Sequence, residues 1–284
     1  MATFIHGTFQ DDTKKITVKV FENKSDTAKS RFDNFAVGVD ADMIVIGGGA
    51  EATDAPQGAY LTASYPSADF TQWLASSKDH VHANAHNLRV FAIGLKIDGV
   101  TPQQLSSKVK LFSSAPVLDS HPQATATVDA GYILTGGGFF IDWAQFNANG
   151  GNLATASMPI NSTSWHAKSK DHIIGNKALL TCHAIGIMQN FSIGNLLIKL
   201  QGDSQSNVSS PASHPSTTCV LASGFALTGV GAFADWKTQG SLIWKLRPTT
   251  QVAPSPQESE VGSKDLDNPE AIAITAYALG IKHS

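Results

Sequence analysis

The octapeptide Trp73-Leu74-Ala75-Ser76-Ser77-Lys78-Asp79-His80 decides how this chain is read, because it returns. Residues Trp165 to His172 repeat it as WHAKSKDH, and Ser263-Lys264-Asp265-Leu266 repeat its core in altered form. The three aspartates stand 92 and 94 residues apart. A fixed self-similarity of this kind has to be recognised before any local pattern is interpreted. Working outward, the flanks recur too. Upstream lie Gly47-Gly48-Gly49, Gly136-Gly137-Gly138 and Gly229-Val230-Gly231; downstream lie Ala92-Ile93-Gly94-Leu95, Ala184-Ile185-Gly186-Ile187 and Ala278-Leu279-Gly280-Ile281.

Each copy reads as a run of short strands. Ile16-Thr17-Val18-Lys19-Val20 alternates apolar and polar residues, the period-2 sign of a half-buried strand. Segments such as Leu61 to Pro66, Leu153 to Pro159 and Leu242 to Pro248 end in proline, which suits a strand exit. In the closing strands Val90, Cys182 and Ala276 share one apolar phase and are expected to point inward. Gln251 to Asn268 reads as an exposed loop. No segment keeps a convincing helical stripe. The expectation is an all-β, pseudo-threefold, β-prism-like body of three repeats of about 93 residues, with units 1–95, 96–187 and 188–284 in one domain. Closure leaves the fewest exposed sheet edges, so each unit is expected to give one sheet to a shared axial core.

The pattern of GGG, a D-W pair, L-T-A-S-x-P, S-K-D-H and A-I-G-I resembles the threefold C-terminal β-prism domains of bacterial perforin-like (membrane-attack-complex/perforin) insecticidal proteins. The resemblance covers the motif-bearing part of each unit and leaves no room for a pore-forming perforin domain. It implies a recognition module that docks on a target-cell surface through glycan or lipid headgroups, in an insecticidal or defence setting.

Composition narrows the classes. Charged residues make up 15% of the chain, against a usual ~25%. Net charge is −3, which gives no basic footprint for nucleic acid and no simple attraction to anionic lipid. The start, MATFIHGTFQDD, lacks a basic-then-apolar leader, so synthesis in the cytoplasm is expected, with release needed for any extracellular action. Cys182 and Cys219 fall at non-equivalent places and read as small buried apolar residues. No redox or nucleotide cofactor is expected.

The candidate ligand-binding set is Trp73, Lys78, Asp79, His80, Trp165, Lys170, Asp171, His172 and Asp265. In this reading aspartate accepts hydrogen bonds from sugar hydroxyls, lysine and histidine donate, and the two tryptophans stack on a sugar face. The bland alternative is an aspartate that caps its own turn while the lysine points to water. The pairs Asp142-Trp143 and Asp235-Trp236 are likewise either a buried indole with a turn acid or the wall of a pocket. His80, His82 and His86 are close in sequence, but the other copies offer no matching set, which disfavours a metal site. No G-x-S-x-G, H-E-x-x-H or phosphate-loop signature is present, and repetition favours multivalent binding over catalysis. If the loops bind, Leu266 in place of histidine leaves two working sites and a weak third. The alternative function is a structural or assembly scaffold without a small-molecule ligand. A homo-oligomer or a toxin partner chain fits either reading.

Overall fold

The computed structural model describes residues 3–53, 59–146, 150–238, 240–248, 257–265, 267 and 269–284. Among the described residues the chain is all-β apart from one short helix, α1 (Pro102–Ser106), capped by Thr101 and Gln104 in a reciprocal capping box. The first third holds β1 (Phe4–Gln10), β2 (Ile16–Lys24), β3 (Arg31–Gly38), β4 (Ile44–Thr53), β5 (Tyr60–Pro66), β6 (Gln72–Lys78) and β7 (Asn87–Ile97). The middle holds β8 (Val109–Ser113), β9 (Val117–Asp119), β10 (Gln123–Thr127), β11 (Tyr132–Asp142), β12 (Asn152–Pro159), β13 (Ser164–Asp171) and β14 (Ala178–Met188). The last holds β15 (Asn190–Ile193), β16 (Leu196–Val208), β17 (Ser216–Val220), β18 (Ala226–Ala234), β19 (Leu242–Pro248), β20 (Glu258–Lys264) and β21 (Ile274–His283).

Three seven-stranded antiparallel sheets result, and their make-up corrects the expected layout. No third of the chain builds a sheet alone. One sheet runs β1-β2-β7-β4-β19-β20-β17, joining strands from the first and last thirds. A second runs β10-β13-β12-β18-β21-β16-β15, and the third runs β3-β6-β5-β11-β14-β8 with β9 also on β14. In every sheet four strands of one third meet three strands of another along a short seam. The seams pair Phe140 with Ala63, Phe233 with Ala156 and Glu51 with Lys245.

The glycine runs explain how the sheets close. Each lies in a strand whose register slips, between Val45 and Gly47, Leu134 and Gly136, and Leu227 and Gly229. Such bulges bend a strand and raise its twist. There the three backbones touch. A Cβ on Gly47 would lie 1.9 Å from the Thr228 carbonyl oxygen, and one on Gly229 would lie 2.3 Å from that of Thr135. No side chain fits at such spacing. Thr228 Oγ1 donates to the Thr135 carbonyl at 2.8 Å, and Thr135 Oγ1 reaches the Ile46 carbonyl at 3.5 Å. The three glycine runs therefore meet in the interior.

Val90, Cys182 and Ala276 are fully buried in the core. Both cysteines are buried free thiols, and burial pushes the Cys182 thiol up to about 12. The segment read as a long exposed loop instead contributes strand β20; residues 251–256, 266 and 268 within it lie outside the described residues.

Candidate functional site

The recurring Ser-Lys-Asp segments end strands β6, β13 and β20, and the loops that follow them lie against one another. The backbone N–H groups of Asp79, Asp171 and Asp265 donate to the carbonyls of Ser30, Ser120 and Ser213. Each carboxylate then closes its own loop. Asp79 accepts from the Asn84 N–H at 3.0 Å, Asp171 from the Asn176 N–H at 3.1 Å, and Asp265 from the Glu270 N–H. The capping role of the aspartates is thus visible in all three loops. Asp171 has a second partner, His121 Nε2 at 2.8 Å.

The lysines do not point to water. Lys78, Lys170 and Lys264 are 7%, 2% and 4% exposed. Each ammonium lies over an aromatic ring drawn from another third of the chain: Lys78 over Trp143 at 4.5 Å, Lys170 over Trp236 at 4.2 Å, and Lys264 over Tyr60 at 5.3 Å. Lys78 also donates to the Gly150 carbonyl. Burial brings all three amines down to about 8.

Trp73 and Trp165 are core residues, which corrects their assignment as sugar platforms. They are 1% and 0% exposed, and their indole N–H groups donate to Ser64 Oγ and Ser157 Oγ, each at 2.9 Å. Gly137 leaves room for the Trp165 ring; a Cβ there would sit 2.3 Å from it. The serine of the L-x-A-S-x-P strand is the partner of this tryptophan, a pairing that a shared absence in the third copy could have signalled, since Leu246 and Ser259 stand there instead.

His80 and His172 are also buried, at 1% and 3% exposure, with their rings 5.5 Å apart. His80 Nε2 donates to the His172 carbonyl at 2.6 Å. Burial is the main cause that lowers both imidazoles, His172 to about 4, with Lys170 and His80 adding repulsion. Among the described residues, His80 Nδ1 and both ring nitrogens of His172 have no hydrogen-bond partner. His82 instead turns to Asp267 at 2.9 Å, and His86 to Ser77 Oγ at 2.7 Å. The three histidines thus diverge, and among the described residues no group of three or more ligating side chains could hold a metal. Ser77 and His86 have the spacing of a nucleophile and base, yet they are 0% and 1% exposed, so no substrate reaches them.

What reaches solvent is the tip of each loop. Val81 and Ile173 have φ of +63° and +61°, and Asp267 has +61°. The His82 N–H donates to the His80 carbonyl at 2.7 Å and the Ile174 N–H to the His172 carbonyl at 2.6 Å. These are i to i+2 turns around β-branched residues, a strained conformation. Val81, Ile173 and Ile174 are 44%, 52% and 37% exposed. The residue at the corresponding tip of the third loop is Asp267, a polar side chain; Leu266, which takes the place of His80 and His172, lies outside the described residues.

No protein-family profile matches the chain, and no curated protein matches it.

Proposed function

We propose that the chain is a non-enzymatic recognition protein that docks, loop end first, on a target-cell surface through glycans or lipid headgroups, as an insecticidal or defence toxin or its receptor-binding component. The observation that carries the reading is the pair of strained apolar tips. Holding a β-branched residue at positive φ costs about 1–3 kcal/mol, and here it sets Val81 and Ile173 out in solvent on adjacent loops. Strain kept at an exposed tip points to use of that tip. An apolar side chain buried on docking contributes about 1.5–3 kcal/mol, enough for a tenfold effect each. The rigid base of capped loops, buried amines and core tryptophans holds the tips in place.

The test is sedimentation with phosphatidylcholine–phosphatidylserine vesicles, beside agglutination of target cells, for the intact chain and for Val81→Gly and Ile173→Gly. Glycine relieves the backbone, so both variants gain about 1 kcal/mol of stability while losing tenfold or more in docking. Undiminished docking by the double variant sinks the reading. No sedimentation and no agglutination by the intact chain favours the scaffold.

A further inference from the structure

A notch of about 230 Å³ opens on the second sheet where β10, β13, β12 and β18 meet. Its walls are His121 and Gln123 on one side, Lys168 above, and Phe233, Asp235 and Trp236 on the other. Its floor carries two hydroxyls, Thr155 Oγ1 and Ser169 Oγ. Both residues are buried, at 1% and 2% exposure, and both hydroxyls lack a hydrogen-bond partner among the described residues. Buried polar atoms are nearly always satisfied, so two orphans at the floor of one opening ask for an occupant.

The other two corresponding places are filled. In the first, Arg31 lies over Trp143 at 4.8 Å and the indole is only 5% exposed. In the second sheet His121 takes the place of that arginine and meets Trp236 edge-on at 5.4 Å, leaving the indole half-buried. In the remaining place Trp244 stands where Thr62 and Thr155 stand in the others, and packs into the space above Gly262. The notch is open because both fillers are missing.

We infer that this notch binds one neutral pyranose ring of a glycan. Trp236 offers an apolar wall, stiffened from inside by Lys170. Sugar hydroxyls both donate and accept, which suits the two floor hydroxyls, Gln123 and the Asp235 carboxylate. The mixed rim disfavours a charged ligand: Asp235, paired with Lys237 at 2.6 Å, opposes an anion, and Lys168 opposes a cation. The volume falls below the ~300–1,000 Å³ of pockets for drug-sized ligands, so a single ring fills it. The expected Asp171 site lies next door: Asp171 holds His121, and Lys170 backs Trp236, so both support the notch from behind.

The inference is independent of the docking tips. Saturation-transfer NMR on the full chain, with methyl glycosides of glucose, galactose, mannose and N-acetylglucosamine, tests it, with inorganic phosphate as control. At least one glycoside is expected to bind and to shift the Trp236 indole N–H signal. Gln123→Ala and Asp235→Asn, both at the rim, should each weaken it tenfold or more; Thr155→Trp, which copies the filled place, should abolish it; Ile173→Gly should leave it unchanged. Binding of none of the four, binding indifferent to both rim variants, preference for phosphate, or floor hydroxyls that hold an ordered water no glycoside displaces would each overturn it.

Discussion

Replacing Lys264 with methionine is expected to stabilise the protein at neutral pH. Lys264 is 4% exposed, and burial brings its amine from 10.5 to about 8. At about 1.4 kcal/mol per pKa unit, that shift corresponds to about 3 kcal/mol of cost for the charged form. Screening at the loop end reduces it to about 2 kcal/mol. The rings of Tyr60 at 5.3 Å and Trp244 at 5.5 Å return about 0.5–1 kcal/mol through cation–π attraction. Methionine keeps the stem's packing and adds sulfur–aromatic contact. The net gain is about 1 kcal/mol, or about 2–4 °C in Tm.

The sign with pH follows from the lowered pKa. Below pH 8 the folded amine is charged and the cost is present in full. Between 8 and 10.5 the unfolded chain holds protons that the folded chain has shed, so wild-type stability rises through that window. The advantage of Lys264→Met must therefore shrink from pH 7 to pH 10.5. Urea unfolding at both pH values measures it. A variant less stable than wild type at pH 7, or an advantage that does not change with pH, would refute the electrostatic reasoning.

Two further outcomes follow from the loop end. His172, held at about 4 by burial, keeps its stabilising neutral form above the unfolded value near 6.5 and loses it as pH falls from 6.5 through 4; urea midpoints at pH 7.5 and 4.5 should converge for His172→Gln relative to wild type, and parallel curves would contradict this. Asp79→Ala, Asp171→Ala and Asp265→Ala should each cost about 1–3 kcal/mol, because each frees a loop N–H that the carboxylate holds; unchanged melting temperatures would show the loops to be held by other contacts.

The strands, the inward phase of Val90, Cys182 and Ala276, and the meeting of the glycine runs were legible in the sequence, because period-2 alternation and steric closeness are local consequences of residue type. The pairing of sheet halves was not. A repeat tells which residues are alike, and nothing in it distinguishes a strand that pairs within its own unit from one that pairs with the next. The same ambiguity misplaced the tryptophans: Trp165 follows strand alternation equally well facing a ligand or facing Gly137, and only the packing of β11 against it decides.

That shared-sheet layout also accounts for where chemistry can arise. Four charged or aromatic contacts at the loop end join different thirds of the chain: Lys78 with Trp143, Lys170 with Trp236, Lys264 with Tyr60, His82 with Asp267. A change in one third therefore alters the surroundings of another, and the three corresponding places drift apart without loss of the fold. Arg31 covers one indole, Trp244 fills another place, and His121 with Thr155 leaves the third open. An equal threefold set of sites would need like residues on both sides of all three seams. The chain keeps the capping aspartates and buried lysines alike in all three copies, and it differs at the seam positions that decide whether a cavity exists.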